Sequence, residues 1–398
     1  MKKRKAAPIK TYLLPVLLLG LVAIIYLYKH PIYKTSVAEA ETGKVFYPTL
    51  YSDQYITENA KIADARLSNI TRINKEVNLA NVFSPVQKSK YVPIQEEPER
   101  GTWLWTPILS ITPEYRDSII SGAKKNGLRT IYVSIDSYLD VVALPEGPEK
   151  DRQKEIFDGI LEDFVTEAHK AGLSVDAEAG WRNWAERGHE YKAFVVLAYA
   201  IDFNKTHTEK LRGFQYDIEP YLLDSYKENK KTVLRNFLNL INETVARMSE
   251  SDLELSVVIP EFYEASSSET PKFLYSLRYG YTLDHLLNIL EQRPGSKIVV
   301  MAYRNFALGD NGSIDISKQE VGASSKYQTK VVVAQETGEA PSPSVTFHDT
   351  SRAYYDEQTN IIDKTFSKEK AYAGLATHYI NAFLTLKWVR SPASPSPK

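Results

Sequence analysis

From residue 101 onward, short apolar runs of period two alternate with longer stretches of period about 3.6, the rhythm of a parallel α/β sheet. Eight runs read as strands: Thr102–Thr106, Thr130–Asp136, Leu173–Glu178, Gly213–Glu219, Leu253–Pro260, Lys297–Tyr303, Lys330–Glu336 and Ala373–Tyr379. Between them lie helical stretches with recognisable ends. The first has Thr112 as N-cap, Pro113 in its first turn and Gly127 as its stop. A charged helix from about Lys150 to Lys170 stops at Gly172, and further helices are expected at Glu190–Asp202, at Tyr226–Met248 and after the last strand. Ser344–His348 reads as an extra strand in the seventh loop. Eight βα units in about 250 residues predict an α/β fold, a (β/α)8 TIM barrel.

The strand ends form a ladder. Asp136, Glu178, Glu219, Glu261, Tyr303, Glu336 and His378 sit at or just past successive ends, 41 or 42 residues apart save for one gap of 33. One polar residue per unit at the same end describes a barrel mouth, where the chemistry of this fold resides. The bland alternative is that strands end in polar residues because loops begin there. Even spacing over seven positions favours the mouth.

The N-terminal region has a different character. Residues 11–28 are almost wholly apolar and follow a basic cluster, and residues 1–34 hold seven Lys and Arg and no acid. At about 1.5 Å rise per residue this run just spans a hydrocarbon core, with the basic end cytoplasmic. The expectation is therefore an uncleaved transmembrane anchor over 1–34, a Pro-punctuated stalk over 35–100, the barrel over 101–390 outside the cytoplasm, and a Pro/Ser-rich tail over 391–398. Secretion after signal cleavage is the rival, with Ala38-Glu39-Ala40 as the small-x-small site.

The formal net charge of −1 argues against nucleic acid as a partner. The chain has no cysteine, so disulfides and thiolate ligands do not arise. Its seven histidines lack metal-ligand spacing, and no phosphate-binding or dinucleotide fingerprint occurs. No metal and no cofactor is expected.

The most informative segment is Arg212-Gly213-Phe214-Gln215-Tyr216-Asp217-Ile218-Glu219-Pro220. Side chains alternate along a strand, so Asp217 and Glu219 project from one face. Buried carboxylates are costly unless paired or hydrogen-bonded, and two of them in different environments are the minimum apparatus of glycoside hydrolysis. Like-charge repulsion from Asp217 would raise the pKa of Glu219 toward that of a proton donor. The alternative is that Asp217 joins Arg212, Arg304 or a lysine in a buried structural network.

This segment resembles the chitinase-type (family 18) glycoside hydrolase signature D-G-x-D-x-D-x-E. Gly213, Phe214, Asp217 and Glu219 match, while Arg212 and Gln215 replace the first two acids. Met301-Ala302-Tyr303-Arg304 is similar to that family's strand-six M-x-Y-D. The family's strand-eight tryptophan has no counterpart, since His378 and Tyr379 stand there. The resemblance implies a general acid at Glu219, a supporting Asp217, a substrate-orienting Tyr303 and attack by the substrate's own N-acetyl group. A second plan, similar to many retaining glycosidases of this fold, makes Glu219 the acid/base and Glu336, at the end of strand seven, the nucleophile. Both plans retain anomeric configuration and both rest on Glu219.

Around these acids, Trp105 and Trp181 are candidates to stack on sugar rings, and Arg304 to clamp an anionic sugar. Asp136, Glu178, Glu261, His378 and Tyr379 complete the expected substrate-binding set. The expected partner is a cell-wall or extracellular polysaccharide. A glycan-binding or envelope-assembly barrel without catalysis is the rival function, motivated by the acids missing at Arg212 and Gln215.

Overall fold

The computed structural model describes residues 98–264, 270–386 and 388. Eight parallel strands close into a barrel: β1 (Glu99–Leu104), β2 (Thr130–Ser134), β3 (Ser174–Ala179), β4 (Gly213–Tyr216), β5 (Glu254–Pro260), β8 (Lys297–Met301), β9 (Lys330–Glu336) and β10 (Tyr372–His378). Each pairs with its neighbours in chain order, and β10 returns to β1 with Gly101 opposite Ala376. Two short strands, β6 (Phe273–Tyr275) and β7 (Arg278–Gly280), form an antiparallel hairpin in the connection after β5.

The strand alternation seen in the sequence separates two apolar layers. One parity of each strand, including Val133, Ala177, Phe214, Val257, Val300 and Val333, belongs to the main hydrophobic core. Side chains of the opposite parity, such as Trp103, Tyr132, Val258, Val299 and Val332, are equally buried but fill the barrel interior. The helices supply the outer half of the core with apolar stripes: α1 (Pro113–Lys125), α2 (Tyr138–Ala143), α3 (Pro148–Lys170), α4 (Tyr191–Thr206), α5 (Asp224–Arg247), α6 (Thr282–Leu290), α7 (Ser313–Ser324), α8 (Arg352–Phe366) and α9 (Ile380–Thr385). The Thr112 hydroxyl caps α1 by accepting from the Tyr115 amide at 3.2 Å, as its position predicts. Gly127 and Gly172, at φ +71° and +82°, end α1 and α3 in the left-handed turn that glycine adopts without penalty.

Three expectations need correction. Ser344–His348 is not a strand; a 3-10 turn, Pro343–Val345, occupies its start. Its backbone bonds to other segments are isolated ones, the Phe347 amide donating to Glu336 O and the Asn305 amide to Ser344 O, each at 2.9 Å, and the buried Phe347 ring holds the segment down. Strand β4 stops at Tyr216, so Asp217 and Glu219 lie just beyond it. The Asp217 amide still donates to Ala179 O at 3.1 Å and prolongs the barrel pairing by one residue. Strand β1 begins at Glu99, three residues before the expected Thr102, and ends at Leu104.

The anchor expected over residues 1–34, nearly all of the stalk and the tail over 391–398 lie outside the described residues. Among the described residues, no helix is long and apolar enough to cross a membrane.

The N-terminal end of the barrel is closed by charge. Arg212 binds Asp176 through two nitrogens, at 2.9 and 2.7 Å, and Glu99 at 3.0 Å. Lys297 reaches Glu254 at 2.7 Å and Glu99 at 3.3 Å. Burial opposes the charge of Glu99, but the Arg212 and Lys297 cations hold its carboxyl far below the ordinary carboxylate range. Gly101 makes room beside this cluster: a Cβ there would lie 2.1 Å from the Tyr132 hydroxyl. Breaking a buried pair by removing one partner strands the other charge. Arg212→Met should therefore destabilise the protein by about 3–5 kcal/mol in denaturant unfolding, and a loss below about 1 kcal/mol would show that the cluster does not stabilise the barrel.

Candidate active site

At the opposite end of the barrel, Trp105, Gly180, Trp181, Arg182, Asp217, Glu219 and Leu222 line a solvent-open cleft with about 410 Å³ of non-atom space. The two carboxylates come from the segment following β4, where the buried Ile218 between them turns outward and anchors their shared inward parity. Glu219 precedes a 3-10 turn, Pro220–Leu222. That turn brings the Tyr221 hydroxyl back to donate to Glu219 Oε1.

Gly180 makes the close approach possible. A Cβ at this position would sit 1.8 Å from Asp217 O, so only glycine lets the end of β3 press against the Asp217 backbone. Its amide also points toward the Asp136 carboxylate, 3.3 and 3.4 Å from the two oxygens.

Beneath the cleft lie more acids than the structure can keep ionised. Glu178 has no exposed surface, and neither of its carboxyl oxygens has a hydrogen-bond partner. Burial, then the charges of Asp136 and Asp217, push its pKa well above the ordinary carboxylate value. Burial followed by the charge of Glu219 raises Asp217 to about 8, with His378 opposing. Asp136 is also raised to about 8, chiefly by burial, against the pull of the Gly180 amide. Glu219 shifts upward through burial, opposed in turn by Tyr221, His378 and Arg182. The like-charge effect expected on Glu219 from Asp217 is thus felt at Asp217, and burial is the main cause at both. Asp217 makes no ion pair among the described residues, and one of its oxygens is buried without a partner.

A second constellation flanks the first. The Trp105 indole N–H donates to His378 Nε2 at 3.1 Å, and His378 Nδ1 lies 2.7 Å from Glu336 Oε2. An indole nitrogen can only donate, so Nε2 accepts and the proton sits on Nδ1, directed at Glu336. Burial disfavours a charge on His378, yet Glu336, Asp217 and Glu219 together raise its pKa. Protonation at Nε2 would set two donors against each other, a cost that opposes this shift. The other Glu336 oxygen accepts from the Gly338 amide at 2.6 Å. Tyr303 stacks on the His378 ring with centroids 5.8 Å apart.

The remaining predicted site residues divide. Trp105 and Trp181 line the cleft with Asp217 and Glu219, and Tyr303, Glu336 and His378 stand together beside it. Glu178 lies below the cleft, where its burial leaves no face for a ligand. Tyr379 is buried, its ring against the Gly338 backbone. Arg304 is held elsewhere: its guanidinium donates to Asn311 at 2.9 Å, to its neighbour's Tyr303 O at 2.8 Å and to Glu261 at 3.4 Å. Arg212, at the far end of the barrel, closes its floor.

Gly180, Arg182, Tyr221 and Leu222 are site residues that the sequence reading did not single out. Gly180 did carry a signal, since a glycine directly after a strand of inward acids marks a close backbone approach. Among the described residues, no cluster of three or more His, Cys, Asp or Glu has the geometry to hold a metal ion.

No protein-family model and no curated protein sequence matches this chain. Solved structures do resemble it. An endo-1,4-β-D-mannanase from Thermotoga petrophila RKU-1 is 10% identical, with 71% of this chain and 88% of that one covered and a TM-score of 0.48. A β-mannanase from the blue mussel Mytilus edulis is 9% identical over 72% of this chain and 90% of that one, with a TM-score of 0.44. A GH18 chitinase from Cycas revoluta, in complex with (GlcNAc)3, is 13% identical over 72% and 96%, with a TM-score of 0.42. The chain is similar in architecture to glycoside-hydrolase barrels. Its chemistry must be argued from its own residues.

The acid cluster leaves a mark on stability. A carboxyl whose folded-state pKa is raised from about 4 to about 8 is neutral when folded and ionised when unfolded across that interval. The folded state then binds more protons, so its contribution is full below about pH 4 and declines as pH rises toward about 8. Asp217→Asn removes that decline. The unfolding free energy of this variant should gain on the parent steadily between about pH 4 and 8 in parallel chemical denaturations. A constant difference across that range would show that Asp217 is ionised in the folded protein.

Proposed function

We propose that this protein is an extracytoplasmic, membrane-anchored glycoside hydrolase acting on a cell-wall or extracellular polysaccharide. The carrying observation is Glu219: a carboxyl with a raised pKa, opening into a cleft between Trp105 and Trp181, with Asp217 beside it. A general acid must keep its proton near neutral pH, and burial biases Glu219 toward that state. The indole walls offer flat apolar faces to sugar rings. The anchored placement rests on the basic, apolar N-terminal segment of the sequence.

In this reading Glu219 protonates the departing glycosidic oxygen, and the Tyr221 hydroxyl orients it by holding Oε1. Asp217, in the same cleft as Glu219, accommodates a proton among the buried acids and in that form can donate a hydrogen bond to the reacting part of the substrate. Retention of configuration is part of the proposal. The nucleophile is the substrate's own N-acetyl group: its carbonyl oxygen bonds to the anomeric carbon as the protonated glycosidic oxygen leaves, and water, giving its proton to Glu219, then attacks from the face the leaving group vacated and restores the N-acetyl group. Glu336 is the less favoured partner, because His378 and the Gly338 amide already engage both its oxygens. The Trp105–His378–Glu336 chain then serves to fix the Trp105 wall.

The test is hydrolysis by the full chain of a panel spanning chitin oligomers, peptidoglycan and N-acetylglucosamine-containing exopolysaccharides. Glu219→Gln should lower turnover by about 10²–10⁴-fold, the usual contribution of a positioned acid, and leave binding in place. Absence of turnover on every substrate, with oligosaccharide binding equal in both forms, would replace the hydrolase by the non-catalytic glycan-binding barrel.

A further inference from the structure

We propose that the cleft carries a subsite for a sugar carboxylate, formed by Arg182 against Trp181, so that the substrate is an acidic rather than a neutral glycan. The proposal rests on the hydrolase reading for its location and names the class of sugar that reading leaves open.

Arg182 lines the same cleft as Asp217 and Glu219. Its guanidinium carbon lies 5.2 Å from the centre of the Trp181 ring, which gives the flexible side chain a fixed seat at the cleft edge. The short 3-10 turn Arg182–Ala185 sets its backbone, with Trp184 and Ala185 buried beneath. Most arginines of the barrel are spent on neighbours: Arg212 on Glu99 and Asp176, Arg304 on Glu261 and Asn311, Arg352 on Asp356 and Asn126, Arg100 on Asp363. Among the described residues Arg182 has no carboxylate within ion-pair distance, although its charge is felt at Glu219.

The surrounding charge explains how an anion could be admitted. Four carboxyls converge under the cleft, and a fully ionised set would repel an acidic sugar. Burial shifts Asp136, Glu178, Asp217 and Glu219 toward their neutral forms. Glu336 is engaged by the His378 N–H. Arg182 contributes a fixed positive charge to the cleft wall. A planar fork of donors suits a carboxylate held edge-on, while the indole beneath it offers a face for the ring that bears the carboxylate. Arg304, which the sequence suggests for this task, is turned away to Glu261. The sugar carboxylate could be that of a uronic acid or the lactyl ether of muramic acid, which share this chemistry.

Tryptophan fluorescence provides a readout that does not need turnover, because Trp105 and Trp181 line the cleft. The full chain in detergent, carrying Glu219→Gln to block hydrolysis, would be titrated with two matched pairs. One pair is a glucuronic-acid oligomer and a glucose oligomer of equal length and linkage. The other is a peptide-free glycan oligomer of alternating N-acetylglucosamine and N-acetylmuramic acid, whose lactyl carboxylates are unblocked, and a chitin oligomer of equal length. The expected result is at least about tenfold tighter binding of one acidic member than of its neutral counterpart, the size of a charge-assisted hydrogen bond. The pair that shows it identifies the source of the carboxylate. Adding Arg182→Gln should abolish the preference, bringing the acidic and neutral members of the pair to the same midpoint, whereas Arg182→Lys should restore part of it, since charge survives and the fork does not. Equal midpoints within both pairs, or a preference that survives Arg182→Gln, would overturn the subsite while leaving the hydrolase intact. Quenching by neither member of either pair would overturn both.

Discussion

The ion pairs of Arg212 with Glu99 and Asp176 fix the parity of the barrel. Glu99, Glu254 and Lys297 project inward from the first positions of their strands and Asp176 from the third of its own, while Arg212 reaches in from the residue before β4; a slip of one residue would turn the strand charges toward the apolar helix layer. Several kilocalories per mole of desolvation per ion make that alternative inaccessible. Once Glu99, Asp176, Glu254 and Lys297 are inward at the floor, the same parity carries up each strand. Asp176 leads to Glu178 and Gly180, and Gln215 to Asp217 and Glu219. The contents of the mouth follow from the pairing at the floor.

The two ends of the barrel treat carboxylates in opposite ways. At the floor each acid meets a cation, and attraction to Arg212 and Lys297 outweighs the burial of Glu99. Such a set is structural, because its charges are neutralised where they stand. At the mouth, Glu178 and one oxygen of Asp217 are buried with neither cation nor donor, although Arg182 and His378 are close enough to influence Glu219. Nothing in folding favours that arrangement, since uncompensated acids lower stability at neutral pH. Held in this state, they retain protons in a cleft where proton transfer is useful. The middle layer insulates one end from the other: Gln215 accepts from the Trp103 indole at 2.7 Å and donates to Ser256 at 3.1 Å, a neutral junction between a paired floor and a protonated mouth.

Much of this plan was readable in the chain because it follows from period two. The eight strands, their order and the polar rung at each strand end come directly from alternation, and the Asp217–Glu219 parity survives even though β4 stops before them. What could not be read depends on partners far away in sequence. Arg212 stands where the chitinase-type pattern has an acid, and only the closure of β1 against β10 reveals that Glu99 awaits it at the floor. Arg304 follows Tyr303 at a strand end, yet Asn311 and Glu261 claim it. The β6–β7 hairpin was missed for a local reason. Its turn places Ser276 and Leu277 at φ +43° and +64° without the Gly or Asn that announces such a turn. Arg182 was invisible in a different sense, because only the assembled mouth sets it on the Trp181 ring in the same cleft as Glu219.

The flanking constellation settles how the mouth can be acidic in composition without being anionic throughout. His378 stands between the Trp105 donor and the Glu336 acceptor, which fixes one tautomer and directs its Nδ1 proton at Glu336. Glu336 is thereby bound into the wall, and Trp105 is held by its indole N–H at the side of the cleft. Glu219, on the other side, accepts from a neutral phenol and lies in a pocket that disfavours its charge. Two carboxyls of one barrel rim are in this way given different surroundings: both oxygens of Glu336 are hydrogen-bonded, and burial shifts Glu219 toward its protonated form. That divergence is the physical requirement for acid chemistry near neutral pH, and it arises here from burial and hydrogen bonding without recruiting any of the cations at the barrel floor.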